Sequence, residues 1–172
     1  MTLTTKQLLQ AYDVLTQGVV CLDDNLRQGV LVYVESLLVE QGMPRDKYLS
    51  LDDLRCDYPF VRMGSYMPID FFSADSGANN VAASDNDANF KPISIKLCTV
   101  SLQDGPRPAH CWQMMGTYRA DHVIEAINAL LEILSNKHYF NYCATCNMIR
   151  PTGYLDEDQV CEYCCEELLG AA

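Results

Sequence analysis

Two Cys-x-x-Cys pairs, Cys143 with Cys146 and Cys161 with Cys164, are the residues of this chain whose type and spacing could do chemistry. Each pair places two sulfurs on one short turn, and the fourteen-residue spacer lets the two turns face each other. Thiolates so arranged converge as four ligands on one tetrahedral zinc ion. A site closed by four protein ligands leaves no position for a substrate, so the expected role of the metal is structural. A redox use of the pairs would call for a βαβ setting around the first one, and the sequence there has none. Cys165 could exchange with Cys164 as a ligand, and His138 could approach from the upstream side.

The element expected to position this tail is a helix over about Asp121 to Lys137. Val123, Ile127, Leu130 and Leu134 form an apolar stripe that Ile124 and Leu131 widen, while Glu125, Asn128 and Glu132 face water. Asp121 at its start and Lys137 at its end suit the helix dipole. The last thirty or so residues resemble the zinc-ribbon and treble-clef class of four-cysteine modules. The resemblance implies a first knuckle at Cys143–Cys146, a hairpin or loop over Met148 to Tyr154, and a second knuckle at Cys161–Cys164. That second knuckle would open a short helix stopped by Gly170. Binding such a metal is also folding energy, on the order of 10 kcal/mol for isolated modules.

Upstream, Thr4-x-x-Gln7 has the form of a capping box, with Leu8, Tyr12 and Leu15 on one helical face until Gly18. Leu26, Val30, Tyr33 and Leu37 continue as a second helical stripe, although Val30, Val32 and Val34 also suit a strand. Gly42 and Pro44 end it, and Ser50-x-x-Asp53 starts a short helix. Strands are expected at Phe60–Met63, Ile69–Phe72, Pro92–Leu102 and Ala109–Gly116, with turns near Pro68 and at Gly105–Pro108. The tract from Ser73 to Asn89 is polar and small, and reads as a surface loop. The predicted fold class is therefore α+β: N-terminal helices, a small antiparallel sheet, a long amphipathic helix and a C-terminal zinc module. An α+β domain at 1–137 is expected to be followed by the zinc module at 138–172, packed on the end of the last long helix.

Charge restricts the partners. The chain carries a formal net charge of −11, and its segment from His138 to Ala172 has six carboxylates against Arg150 alone. Nucleic acid is bound mainly by neutralising phosphate with Lys and Arg, so direct nucleic-acid binding is not expected. No apolar run approaches the ~18 residues that span a bilayer, and the N-terminus lacks signal-peptide order, so a cytoplasmic location without membrane contact is expected. An odd count of nine cysteines argues against a disulfide scaffold.

Other candidates carry less. His110 and Cys111 are adjacent, so on a strand they point to opposite faces and are badly placed to share a proton; packing in the core or an interface is expected for them and Trp112. Asp85-x-Asp87-x-Asn89 opens like a calcium loop but has Phe90 and Lys96 where Gly and Glu are needed. Asp23-Asp24 and Asp52-Asp53 read as helix starts. The leading functional expectation is a non-enzymatic protein with one structural zinc that binds a protein partner. Its alternatives are an acidic inhibitor imitating nucleic acid, and an enzyme with a pocket around His110, Cys111 and His122.

Overall fold

Thr4 opens the first helix as its spacing predicts: its side chain accepts from the Gln7 amide and the Gln7 side chain accepts from the Thr4 amide. In this computed structural model the described residues are 3–43, 49–54, 60–65, 92–101 and 109–170. The strand expected at Ile69–Phe72, the turns near Pro68 and at Gly105–Pro108 and the tract Ser73 to Asn89 lie outside them.

Helix α1 (Thr5–Thr16) buries Leu8, Ala11, Val14 and Leu15. Strand β1 (Val20–Leu22) follows at once, then helix α2 (Asp24–Glu40). The helix prevails over the strand alternative: Leu26 and Val30 of the stripe are buried with Val34 and Leu38, while Tyr33 and Leu37 are partly buried. Gly42, at φ 72°, closes α2 in the left-handed region that glycine adopts without strain. Ser50 and Asp53 cap a single 3-10 turn, Leu51–Asp53.

Strands β2 (Val61–Ser65), β3 (Ile93–Ser101) and β4 (Ala109–Tyr118) complete a sheet in the order β1-β2-β3-β4. The sheet is mixed, which corrects the expected antiparallel one. β1 runs parallel to β2 and the other pairs are antiparallel. A parallel neighbour needs a crossover of a dozen or more residues, and α2 supplies it. One β-bulge interrupts the β3–β4 register beside Ile95 and Lys96.

Strand periodicity puts Val20, Leu22, Val61, Met63, Ile95 and Leu97 on the face toward the helices, where all are buried. Helix α3 (Val123–Ser135) covers that face and packs against α1. Burying Ile127, Leu130, Leu131 and Leu134 contributes about 1.5–3 kcal/mol each relative to exposure. Two side chains depart from expectation. Ile124 is 60% exposed rather than part of the stripe. Asn128 is half-buried, because its Oδ1 accepts the Tyr33 hydroxyl of α2 at 2.5 Å.

Among the described residues only part of the sheet's outer face is covered. There β3 is more buried than a half-buried strand should be, with Cys98 only 3% exposed beneath the tail segment 151–153. By contrast His110, Cys111 and Trp112 of β4 are all exposed, so of the core or interface packing expected for them the core alternative does not occur. Among the described residues β4 is an edge strand, and its first six residues are exposed.

Candidate metal centre

Two short strands build the first half of the site. β5 (Phe140–Tyr142) and β6 (Ile149–Pro151) pair antiparallel, and the chain between them folds back as a tight loop. The Cys143 amide donates to Met148 O at 2.9 Å and the Asn147 amide to Cys143 O at 2.9 Å. Asn147 adopts φ 54°, a left-handed conformation that Asn tolerates better than most side chains. The loop thereby turns the sulfurs of Cys143 and Cys146 to one side.

The second half starts at Leu155, which bridges to Cys161. Between them Asp156 caps a turn, its Oδ1 accepting from the Val160 amide at 2.8 Å. Gln159 sits at φ 60°. Cys161 then leads into helix α4 (Glu162–Gly170), placing Cys161 and Cys164 at a helix start, where the N-terminal partial charge favours thiolate. Gln159 joins the halves: its carbonyl accepts from the Ala144 amide and its side chain from Asn141, both at 2.8 Å.

The result brings all four predicted ligands together. The sulfurs of Cys143, Cys146, Cys161 and Cys164 lie within 4.8 Å of one another, with Cys146 and Cys161 at 3.9 Å. Tetrahedral coordination with metal–sulfur bonds of about 2.3 Å sets sulfur–sulfur distances near ~3.8 Å. A disulfide requires about 2.05 Å, and all four cysteines are free. These four residues can therefore hold a metal ion.

Electrostatics agree with that use. Burial pushes the Cys143 thiol up, but the amides of Cys146, Cys161 and Thr145 aimed at its sulfur bring it down to about 6. The Cys161 amide contact is 3.3 Å. Cys164 moves the opposite way, raised first by burial and then by the neighbouring sulfurs of Cys161, Cys146 and Cys143. Four sulfurs this close cannot all ionise unless a cation neutralises them. Cys143, Cys161 and Cys164 are buried while Cys146 is exposed.

The other ligand candidates stand apart. Cys165 donates its thiol to Asp156 Oδ2 at 3.3 Å and is not in the cluster. His138 is exposed, with its ring edge-on to Tyr139 at 5.3 Å, and it does not join the four sulfurs either.

Several residues that fix the tail in place were not singled out from the sequence. Phe140 and Ile149 are fully buried in the main core. The Tyr142 hydroxyl donates to Asp13 of α1 at 2.5 Å, and the Ile149 amide donates to the Gln17 side chain at 2.7 Å. Burial, then the bond to Asp13, pushes the Tyr142 hydroxyl well above the usual phenol range. A 3-10 turn, Thr152–Tyr154, lies on the outer face of β3, where Tyr154 meets His110 at 2.5 Å and the Phe60 ring at 5.5 Å. Gly153 was a readable signal for this close approach; the polar bonds join positions too distant in sequence to be paired by eye.

The proposed catalytic grouping does not form. His110 and Cys111 alternate across β4, and eight residue steps, about 26 Å, separate His110 from Tyr118. His122 lies beyond Tyr118 at the start of α3, bonded to Glu125 at 3.0 Å. A cleft of ≈ 220 Å³ between β3 and the tail is lined by Cys98, Thr99, Val100, His138 and Thr152, among others. Burial pushes the Cys98 thiol up, which disfavours it as a nucleophile. No helix among the described residues is long and apolar enough to cross a membrane. Comparison with protein-family models, curated proteins and solved structures finds no match for this chain.

Proposed function

We propose that this is a non-enzymatic protein-binding protein whose tail is locked by one structural zinc ion on Cys143, Cys146, Cys161 and Cys164. The four-sulfur cluster is the observation that carries the reading. Its sulfurs come from a knuckle between two strands and a knuckle at a helix start, the order of a treble clef. Zinc is the natural ion for four thiolates in a tetrahedron, and a filled coordination shell leaves it no catalytic position. A reducing compartment such as the cytoplasm would keep the thiols available to the metal.

The tail at 138–172 acts in this reading as a buttress rather than a freely jointed module. Phe140 and Ile149 anchor it in the main core, and its 3-10 turn covers one end of the sheet's outer face. Zinc would hold that turn in place and so set the shape of the surface beside it. An enzyme reading has less support, because His110 and Cys111 point to opposite faces of β4, His122 lies beyond the strand, and burial raises the cleft thiol of Cys98.

The test uses the full chain as an immobilised bait against lysate of its natural source. The zinc-loaded protein should retain a reproducible protein partner, a chelator should release it, and added zinc should restore it. Absence of any zinc-dependent partner, or turnover on a substrate panel, overturns the reading.

A further inference from the structure

The four main strands have a charge character opposite to the rest of the chain. None of the 23 carboxylates of this protein falls within β1, β2, β3 or β4, although its net charge is −11. Arg62 and Lys96 are register partners on the outer face, and Met114 of β4 is the next partner of Lys96. Trp112 shares that face, opposite Cys98. The Arg62 guanidinium stacks over the Trp112 ring, 4.6 Å from its centroid. Stacking leaves the N–H edge of the guanidinium free to take a carboxylate through two hydrogen bonds. Among the described residues neither Arg62 nor Lys96 is ion-paired. Asp23 lies against Gly64 at the far end of β2.

Among the described residues β4 is also the free edge of the sheet. Its ten residues include no Lys, Arg, Asp, Glu or Pro, the usual devices that keep edge strands from pairing. Trp112 is 40% exposed and Met114 44%. An uncharged edge with a solvent-facing aromatic and thioether, beside two cations, fits an extended chain of complementary pattern. The edge would supply main-chain hydrogen bonds, and alternate side chains of the added strand would reach Arg62, Lys96 and Trp112.

We propose that β4 is the docking edge for an extended protein segment in which carboxylates alternate with apolar residues. This rests on the protein-binding reading and names the surface and the partner chemistry. At physiological ionic strength charges act over about 8 Å, so Arg62 and Lys96 act directly on a chain laid beside this face. A second copy of the chain is the weaker occupant, since its own β4 brings no carboxylate to meet the two cations.

The probe is a fluorescent ten-residue peptide alternating Glu or Asp with Val, Ile and Phe. Its controls are the same peptide with Lys for each acid, and one N-methylated at alternate residues. The zinc-loaded full chain should bind the acidic peptide, with at least about tenfold weaker binding for each control. Arg62→Glu and Trp112→Ala, both at exposed positions, should weaken it by a similar factor while circular dichroism stays unchanged. Undiminished binding of the Lys peptide, or of the N-methylated one, overturns the proposal, and so does no binding of the acidic peptide. Dimerisation through β4 in sedimentation, abolished by Gln113→Pro, would assign the edge to a second copy and also overturn it. If a zinc-dependent lysate partner is retained equally by Arg62→Glu and Trp112→Ala, the docking edge is wrong while the broader reading stands.

Discussion

A Cβ at position 153 would lie 1.7 Å from the carbonyl oxygen of Val100, so Gly153 and Val100 bring two backbones into direct contact. This contact seats the tail on β3. Gly153→Ala cannot be accommodated by turning a side chain, because the opposing atom is backbone. We expect it to cost about 1–3 kcal/mol in denaturant unfolding. Zinc content should be unchanged, since the cluster lies elsewhere in the tail. Unaltered stability would show that the turn is not seated as described.

The Tyr142–Asp13 bond predicts an alkaline limit to stability. Its hydroxyl is raised above the ordinary value of 10.0 by burial first and by Asp13 second. A group whose folded value is raised contributes stability that is complete below the unfolded value. That contribution is lost as pH rises from there toward the folded value. Unfolding free energy should therefore decline above about pH 10. Tyr142→Phe should cost about 1 kcal/mol at neutral pH and flatten part of that decline. A wild-type profile that Tyr142→Phe leaves unchanged in slope would contradict the assignment.

Asn147 tests the first knuckle without touching a ligand. At φ 54° a β-branched side chain is strained, whereas glycine is not. Asn147→Val should lower stability by about 1–2 kcal/mol, while Asn147→Gly should stay within about 0.5 kcal/mol of the parent. Competition with a colourimetric chelator should rank their zinc affinities in the same order. Equal behaviour of the two variants would remove the conformational argument.

Cys164 and Cys165 are neighbours with opposite expected roles. Cys164→Ser removes one sulfur from the cluster and should weaken metal binding by at least about a hundredfold, with loss of tail order. Cys165→Ser keeps a hydroxyl that can donate to Asp156 and should keep full metal content. Metal analysis of both purified variants distinguishes them; the reverse pattern would move the fourth ligand to Cys165.

Local features were the legible ones. The Thr4–Gln7 capping box, the stripe through Ile127, Leu130 and Leu134, and the two cysteine pairs each depend on residues a few positions apart. β1 escaped notice because three residues between helices carry no periodicity, and without it the parallel pairing of Val20 with Val61 was invisible. Side chains tied across long separations were also misread. Helix periodicity puts Asn128 toward water, and only the placement of Tyr33 on another helix accounts for its burial. The exposure of Trp112 follows from β4 being an edge, and strand order is a non-local property. The contact of Gly153 with Val100 is of the same kind: a glycine in a loop signals close approach, but not to what.

The central proposal is one zinc ion closed by the four clustered sulfurs. X-ray absorption at the zinc edge of the purified full chain tests it directly. We expect one zinc per chain with four sulfur neighbours at about 2.3 Å and no light-atom shell. A shell containing nitrogen or oxygen, or protein that takes up no zinc under reducing conditions, would contradict it.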